Sequence, residues 1–327
     1  MKVLFTDLDG TCVHYEDGPA WGRVGAAPGA DGLLECTSMD GGATTQLLRL
    51  PPSASGAQGL ISLRSLRHYA ALRQLGVRLV VISGARLATL LGRLPCIPAA
   101  DAYVCEGGGR IFYPASPADL PTAAPLVEDA QWRATQAAAG PPGQEGVPPE
   151  RRKGELWQLY AQLSQTTPAA GIKLDAASYT TAFRVKGASE AVAAALAQLP
   201  SGLATAVNLG AADVFPATSG KENAARHLMQ RFRAAPAECA FMCDDDNDLG
   251  LAALVRKAYL PMVTADSVAA AVEADPHRFY VAAAKGPFGT EEVLRLLLLE
   301  QVAEEAGVGA AAAGGGVAAG GGVAGGA

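Results

Sequence analysis

The chain has 327 residues, 50% of them hydrophobic and 18% charged. That length supports one large domain with an elaboration around a substantial core. Lys+Arg is 26 and Asp+Glu is 32, giving a formal net charge of -6 without a basic run, which argues against nucleic-acid and anionic-membrane partners. Six cysteines without CxxC spacing argue against a disulfide scaffold or a structural zinc site. Reduced thiols in a cytoplasmic setting are expected, or a plastid if the N-terminus continues upstream. The apolar start is too short for a signal peptide.

Short apolar runs alternate with amphipathic stretches, as in an α/β protein. Val3–Thr6 reads as a buried strand. Residues 14–59, rich in Gly, Pro and Ser, read as an irregular insertion. Ser62 is placed to cap a helix carrying Leu63, Leu66 and Ala70, which Gly76 ends. A strand at Val77–Ile82, a helix at Leu87–Arg93 and a strand at Ala102–Cys105 follow. Residues 114–151 hold eight prolines, and their end, Ala137–Glu150, reads as a loose surface loop. Next come a helix near Glu155–Leu163, a strand at Tyr179–Val185, a helix capped by Ser189, and strands at Leu203–Asn208 and Asp213–Pro216. Ser219 is expected to cap a helix over Lys221–Phe232. Strands at Cys239–Cys243, Ala258–Leu260 and Phe279–Ala282 and a last helix opened by Thr290 complete the pattern. Residues 306–327 contain only Ala, Gly and Val and are expected to form a disordered tail.

Four clusters carry chemistry, and each follows a strand, where open parallel sheets gather ligands. The first is Asp7-Leu8-Asp9-Gly10-Thr11. Two carboxylates at this spacing suit a nucleophile and an acid/base, and they equally suit ordinary turn chemistry. The second is Ser83-Gly84, a phosphate cradle or a plain helix cap, with Arg86 in the first turn as a substrate contact or a solvated charge. The third is Lys221, a cation at a helix start that needs an anion or a route to solvent. The fourth is Asp244-Asp245-Asp246-Asn247-Asp248, a set of hard oxygen ligands that suits Mg²⁺ beside a phosphate. An EF-hand is excluded by the spacing.

As an ordered set these clusters resemble the haloacid dehalogenase superfamily of phosphohydrolases. The resemblance spans roughly 1–113 and 214–300. It is similar in particular to the branch containing sucrose-phosphate phosphatase and bacterial Cof-like sugar-phosphate phosphatases, and to plant and algal members. It implies a Rossmann-like doubly wound parallel sheet with an inserted α+β cap. The implied division is a core at 1–113 and 209–305, a cap at 114–208 and the tail. It also implies Asp7 as nucleophile and Asp9 as acid/base, with Lys221 neutralising the nucleophile. Thr11, Ser83, Gly84, Arg86 and Asn247 then support the substrate, and Asp7, Asp9, Asp244 and Asp248 hold Mg²⁺. Cys243, Asp245 and Asp246 depart from the small residues usual there, and the insertion before Ser62 lengthens the flap segment.

The expected activity is a Mg²⁺-dependent phosphomonoester hydrolase with an aspartyl-phosphate intermediate, acting on a sugar phosphate or similar small metabolite. The alternatives are a phosphosugar mutase and a non-catalytic phosphate-ligand binder. Lys173, Arg184 and Lys186 are candidate specificity contacts in the cap.

Overall fold

The computed structural model describes residues 1–16, 20–115, 126–166, 171–208 and 211–314. Among them the largest sheet runs, edge to edge, Phe279–Val281, Lys257–Leu260, Cys239–Met242, Val3–Thr6, Arg78–Ile82, Ala102–Cys105, Arg110–Pro114 and Leu126–Glu128. The first six strands pair in parallel, and the last two add an antiparallel edge. Val3–Thr6 sits at the centre and is buried on both faces. Leu4 joins one apolar cluster with Val81, Met242 and Leu294. Its neighbours Val3 and Phe5 join another with Val80, Ile82 and Phe241. This two-sided burial fits a continuous apolar strand covered by helices on both faces. Each large side chain so buried contributes about 1.5–3 kcal/mol.

The helix Leu63–Gln74 is capped as the sequence suggests, the Ser62 hydroxyl accepting from the backbone N–H groups of Arg64 and Ser65. Lys221–Phe232 departs from expectation at its start. Gly220 is the cap residue, and the buried Ser219 hydroxyl has no hydrogen-bond partner among the described residues. The last helix begins at Pro287, ahead of Thr290, and continues to Gly314. Residues 306–314, expected to be irregular, therefore extend it. Their alanines favour helix once an anchored helix precedes them. Residues 315–327 lie outside the described residues.

The insertion at 14–59 is not irregular. Gly22–Val24, Leu34–Ser38, Thr44–Arg49 and Leu60–Ser62 form an antiparallel sheet in that order. Its inner face packs Trp21, Leu34, Cys36, Leu47 and Leu60 against Phe288 at the start of the last helix. Glu291 of that helix, nearly buried, accepts from Thr45, Ser62 and Arg64. The strands are short, and their outward residues are polar, so their composition resembles a loop.

A third sheet pairs Lys173–Asp175, Phe183–Lys186, Ala211–Pro216 and Leu203–Asn208, all antiparallel. Helix Glu155–Thr166 lays Leu156, Trp157 and Leu163 on it, against Phe183 and Val214. The sheets divide the chain at other points than 113/114 and 208/209. Leu126–Glu128 belongs to the large sheet, Trp132 packs beneath that sheet, and Ala211–Pro216 belongs to the cap sheet. The stretch 137–150 is tied down rather than loose. Trp157 donates to the Ala139 carbonyl at 3.0 Å, and Arg152 lies over the Trp157 ring.

His14 joins the first loop to the last helix. Thr290 Oγ1 donates to the Thr11 carbonyl at 2.5 Å, so it accepts from His14 Nε2 at 3.0 Å. Burial pushes the imidazole down to about 3. The unfolded chain then binds the extra proton between its ordinary value and about 3, so stability falls as pH drops through about 6.5. At pH 5 the loss is about 2 kcal/mol, or about 3 °C in a chain of this size. His14→Gln keeps an amide donor at the Nε2 position without titrating. It should narrow the difference between thermal midpoints at pH 7.5 and pH 5 by that amount. An unchanged difference would remove His14 from the acid response.

Candidate active site

The carboxylates and the lysine expected to carry the chemistry collect where the central strands end. Asp7 leaves Val3–Thr6 and still donates its N–H to the Met242 carbonyl at 2.9 Å. Its own carbonyl accepts from the Cys12 thiol at 2.9 Å and the Thr6 hydroxyl at 3.0 Å. Gly10 then turns the chain with φ of 90°. A Cβ there would lie 2.0 Å from the Asp244 carboxylate, so side-chain bulk is excluded as well as strained.

Lys221 Nζ donates to Asp7 Oδ1 at 2.7 Å and to Asp248 Oδ1 at 2.6 Å. All three residues are buried. Asp248 Oδ2 accepts from the N–H groups of Asp244 and Asp245 at 3.2 and 3.3 Å. Asp244 Oδ1 accepts from the Thr11 hydroxyl at 2.7 Å, and Thr264 donates to the Asp244 carbonyl. The oxygens of Asp7, Asp244 and Asp248 lie within 4.8 Å of one another. Three carboxylates thus face one ammonium, an excess of two negative charges. Burial, offset only in part by Lys221, pushes the Asp7 carboxyl up to about 7. Burial and repulsion from Asp7 and Asp248 push Asp244 well above the usual carboxylate range. Burial opposes the Lys221 charge, but Asp248 and Asp7 outweigh it and raise the ammonium above its ordinary value.

Other expected residues have varied places. The register sets Thr6 beside Val81, so Asp7 and Ser83 leave adjacent strand ends. Ser83 Oγ accepts from the Ala85 N–H at 3.0 Å, which leaves its own O–H to donate. Gly84, Lys221 and Asn247 line one cleft with Tyr179, Asp213 and Phe215 of the cap, with about 410 Å³ of empty space including its mouth. Asn247 Oδ1 is buried there without a partner among the described residues. Arg86 is spent on the cap. It pairs with Asp175 at 2.6 Å, donates to the Ala177 carbonyl at 3.1 Å and lies over the Tyr179 ring. Arg184 forms a bidentate pair with Asp213 at 2.7 and 2.9 Å, Lys186 pairs with Asp175 at 2.9 Å, and Lys173 is exposed. Asp246 is bonded to Ser267 on the outer side of the loop, and neither it nor Asp245 belongs to the carboxylate triplet.

Two further groups escaped the sequence. Asp9 Oδ1 accepts from Arg93 at 2.9 Å and from the Tyr15 hydroxyl. Glu106 is held at φ of 54°, costly for a residue with a side chain. Its buried carboxylate reaches the cap and accepts from the N–H groups of Thr180 and Thr181 at 2.9 and 2.7 Å and from the Thr181 hydroxyl at 2.7 Å. Those bonds take Thr180 and Thr181 away from a strand ladder, so the strand expected from Tyr179 begins only at Phe183. Beside Glu106, Gly108 has φ of 104°, and a Cβ there would lie 2.3 Å from the Gly220 carbonyl. That close approach sets the start of the lysine helix against the turn Glu106–Gly108.

Solved structures align with this arrangement of a large parallel sheet and separate antiparallel sheets over about 90% of the chain. The chain has the haloacid dehalogenase fold. Sucrose-phosphatase from Synechocystis sp. PCC6803, solved with sucrose and phosphate, aligns with a TM-score of 0.56 and 14% identity over 90% of this chain and 96% of that one. The subclass IIB sugar phosphatase BT4131 aligns with a TM-score of 0.53 and 13% identity over 91% of this chain and 99% of the other. The phosphatase BT1666 from Bacteroides thetaiotaomicron gives a TM-score of 0.53 and 13% identity over 91% and 94%. No family model matches the chain, and no curated protein matches it. Within the haloacid dehalogenase fold, the inserted sheet at 22–62 lies beside the first loop. Among the described residues no helix is long and apolar enough to cross a membrane.

Proposed function

We propose that the chain is a divalent-metal-dependent phosphomonoesterase that works through an aspartyl-phosphate on Asp7, with a sugar phosphate as its class of substrate. The observation that carries this reading is the Lys221 ammonium, 2.7 Å from Asp7 and 2.6 Å from Asp248 in a buried carboxylate cluster. A lysine so placed masks a nucleophile's charge from an approaching phosphoryl anion.

The donor set fits a hard cation, since all three side chains offer oxygen and carry two charges more than Lys221 offsets. Asp7, Asp244 and the Asp9 carbonyl would hold Mg²⁺. Asp248, both of whose oxygens already accept hydrogen bonds, would brace Lys221 and the loop behind them. When bound, the ion would neutralise phosphoryl oxygens and so favour attack.

Asp7 Oδ1 is engaged by Lys221, and Oδ2 makes no hydrogen bond among the described residues. Attack by Oδ2 forms the bond to phosphorus as the bond to the leaving oxygen breaks, and Asp9 gives that oxygen its proton. Water then attacks phosphorus, Asp9 takes the water's proton, and the bond to Asp7 breaks to release phosphate. The Ser83 O–H and the Gly84 N–H would donate to phosphoryl oxygens as their charge grows.

The cap favours a hydroxyl-rich leaving group. Tyr179 and Phe215 offer apolar faces, and the unpartnered Asn247 Oδ1 offers an acceptor for a hydroxyl. A sucrose-phosphatase and a sugar phosphatase share the fold, which favours the same class. Screening the protein with Mg²⁺ against phosphorylated metabolites should release inorganic phosphate, best from sugar phosphates. An isomerised sugar phosphate as product would indicate a mutase, and metal-dependent binding without turnover would indicate a binder. Phe215→Ala should lower kcat/KM for the best metabolite by about tenfold and leave a small aryl phosphate within about threefold. Equal losses on both would remove the cap from specificity.

A further inference from the structure

We infer that Tyr15 and Arg93 are positioning residues for Asp9, and that the inserted sheet exists in part to seat them. This rests on the reading of Asp9 as the proton donor. An aspartate that first gives a proton and then takes one must present the same oxygen twice. Here one oxygen is tied. Asp9 Oδ1 accepts from Arg93 Nη1 at 2.9 Å and from the Tyr15 hydroxyl, and Arg93 Nη1 also reaches the Tyr15 oxygen at 3.0 Å. Asp9 Oδ2 makes no hydrogen bond among the described residues, and the side chain stays 25% exposed. Two donors on Oδ1 fix the carboxyl plane and leave Oδ2 as the oxygen that exchanges protons.

Arg93 is an unusual place to spend a cation. Its side chain is 0% exposed. A buried guanidinium is costly unless its N–H groups are matched and an anion faces it. The matching comes from the insertion. Arg93 Nε donates to the Pro51 carbonyl at 3.2 Å, and Nη2 donates to the Ala57 carbonyl at 3.1 Å. Both carbonyls lie between the strands Thr44–Arg49 and Leu60–Ser62 of the inserted sheet. The same loop is pinned to Arg93's own helix, since Ala54 N–H donates to Thr89 Oγ1 at 2.9 Å. Tyr15 in turn is held by its carbonyl, which accepts from Trp21 Nε1 at 3.2 Å. The segment that lengthens the first loop thus forms a hydrogen-bonded seat for an arginine whose other end grips Asp9.

A role that is only structural would depress all substrates alike, whereas orientation of a proton donor acts on the leaving group. Arg93→Ala would test folding as much as orientation, because it removes a fully buried side chain together with its bonds to the Pro51 and Ala57 carbonyls. Tyr15→Phe removes one hydroxyl at constant volume. The probes are glycerol 2-phosphate, whose alkoxide needs a proton, and 2,4-dinitrophenyl phosphate, whose leaving group does not. kcat/KM is the proper measure, because it covers steps only up to departure of the leaving group. Tyr15→Phe should lower it about tenfold for glycerol 2-phosphate, a fraction of what general acid catalysis supplies, and at most about threefold for the dinitrophenyl ester. In an Asp9→Asn background the same change should add no further loss on glycerol 2-phosphate. Equal losses on the two esters, or an additive loss in the Asp9→Asn background, would overturn the inference and leave the phosphatase reading standing. Full turnover by Asp7→Asn, or no turnover of either ester by the native chain with Mg²⁺, would instead overturn that reading and the inference with it.

Discussion

Asp7→Asn should abolish turnover, lowering kcat by at least about three decades, while the chain keeps its fold. Loss of a nucleophile costs this much because the other site residues cannot replace the covalent step. The geometry separates activity from stability here. The amide oxygen of Asn can still accept from Lys221, now 2.7 Å from Asp7. Lys221 also keeps Asp248 at 2.6 Å, so its charge stays paired. Asp7 lies in a cluster with more carboxylate than ammonium, so removing its charge relieves repulsion from Asp248 and Asp244. The thermal midpoint of the metal-free variant should therefore match or exceed that of the native chain. Residual kcat above about a hundredth of native would exclude the aspartyl-phosphate.

Chelation should stop turnover, Mg²⁺ should restore it, and the same ion should raise the thermal midpoint. The second effect follows from linkage, because an ion that binds only the folded cluster stabilises it by about 2.7 kcal/mol at a hundredfold excess over its Kd. That corresponds to about 4 °C for a chain of this length. Asp244→Asn should separate the two observations. Without metal it should cost little, since burial and the neighbouring carboxylates already disfavour the Asp244 charge, and the Thr11 hydroxyl retains an oxygen to donate to. With Mg²⁺ present it should show neither the rise in midpoint nor native turnover. A chelated chain with full activity, or an Asp244→Asn variant that Mg²⁺ stabilises as strongly as native, would rule out the metal role given to this cluster.

The parallel sheet was legible because its strands are buried on both faces and so consist of apolar residues, as Val3–Thr6 and Cys239–Met242 do. The carboxylates were legible for a related reason, since Asp7 and the Asp244–Asp248 run follow such strands, whose adjacent ends bring them together, whereas Lys221 reaches them from the start of a helix. The inserted sheet was not legible, because Leu34, Cys36 and Leu47 alternate with polar neighbours over only a few residues and depend on Phe288, far along the chain. Arg93 read only as the end of a helix, since nothing in its neighbourhood announces that Pro51 and Ala57 will cover it. Arg86, expected in the first turn of a helix, immediately precedes the helix Leu87–Arg93, and its partner, Asp175, comes from the cap. Long-range partners of this kind leave no local periodicity.

Glu106 sets a condition on exchanging parts between enzymes. Its carboxylate leaves the core at the turn after Ala102–Cys105 and accepts from the backbone and hydroxyl groups of Thr180 and Thr181. Arg110, which opens the strand after the same turn, adds a bond to the Thr180 hydroxyl at 3.1 Å. A chimera that grafts a foreign lid onto this core therefore has to import two consecutive N–H donors at the same spot. Without them it would keep an anion locked in a dry joint, at a cost of about 1–3 kcal/mol for each missing donor. Graft boundaries drawn only by strand count would miss this, and the resulting hybrids would fail at the seam before their specificity could be measured. Replacing Glu106 by Gln in the recipient core removes the charge, and it is the first change to make in building such hybrids.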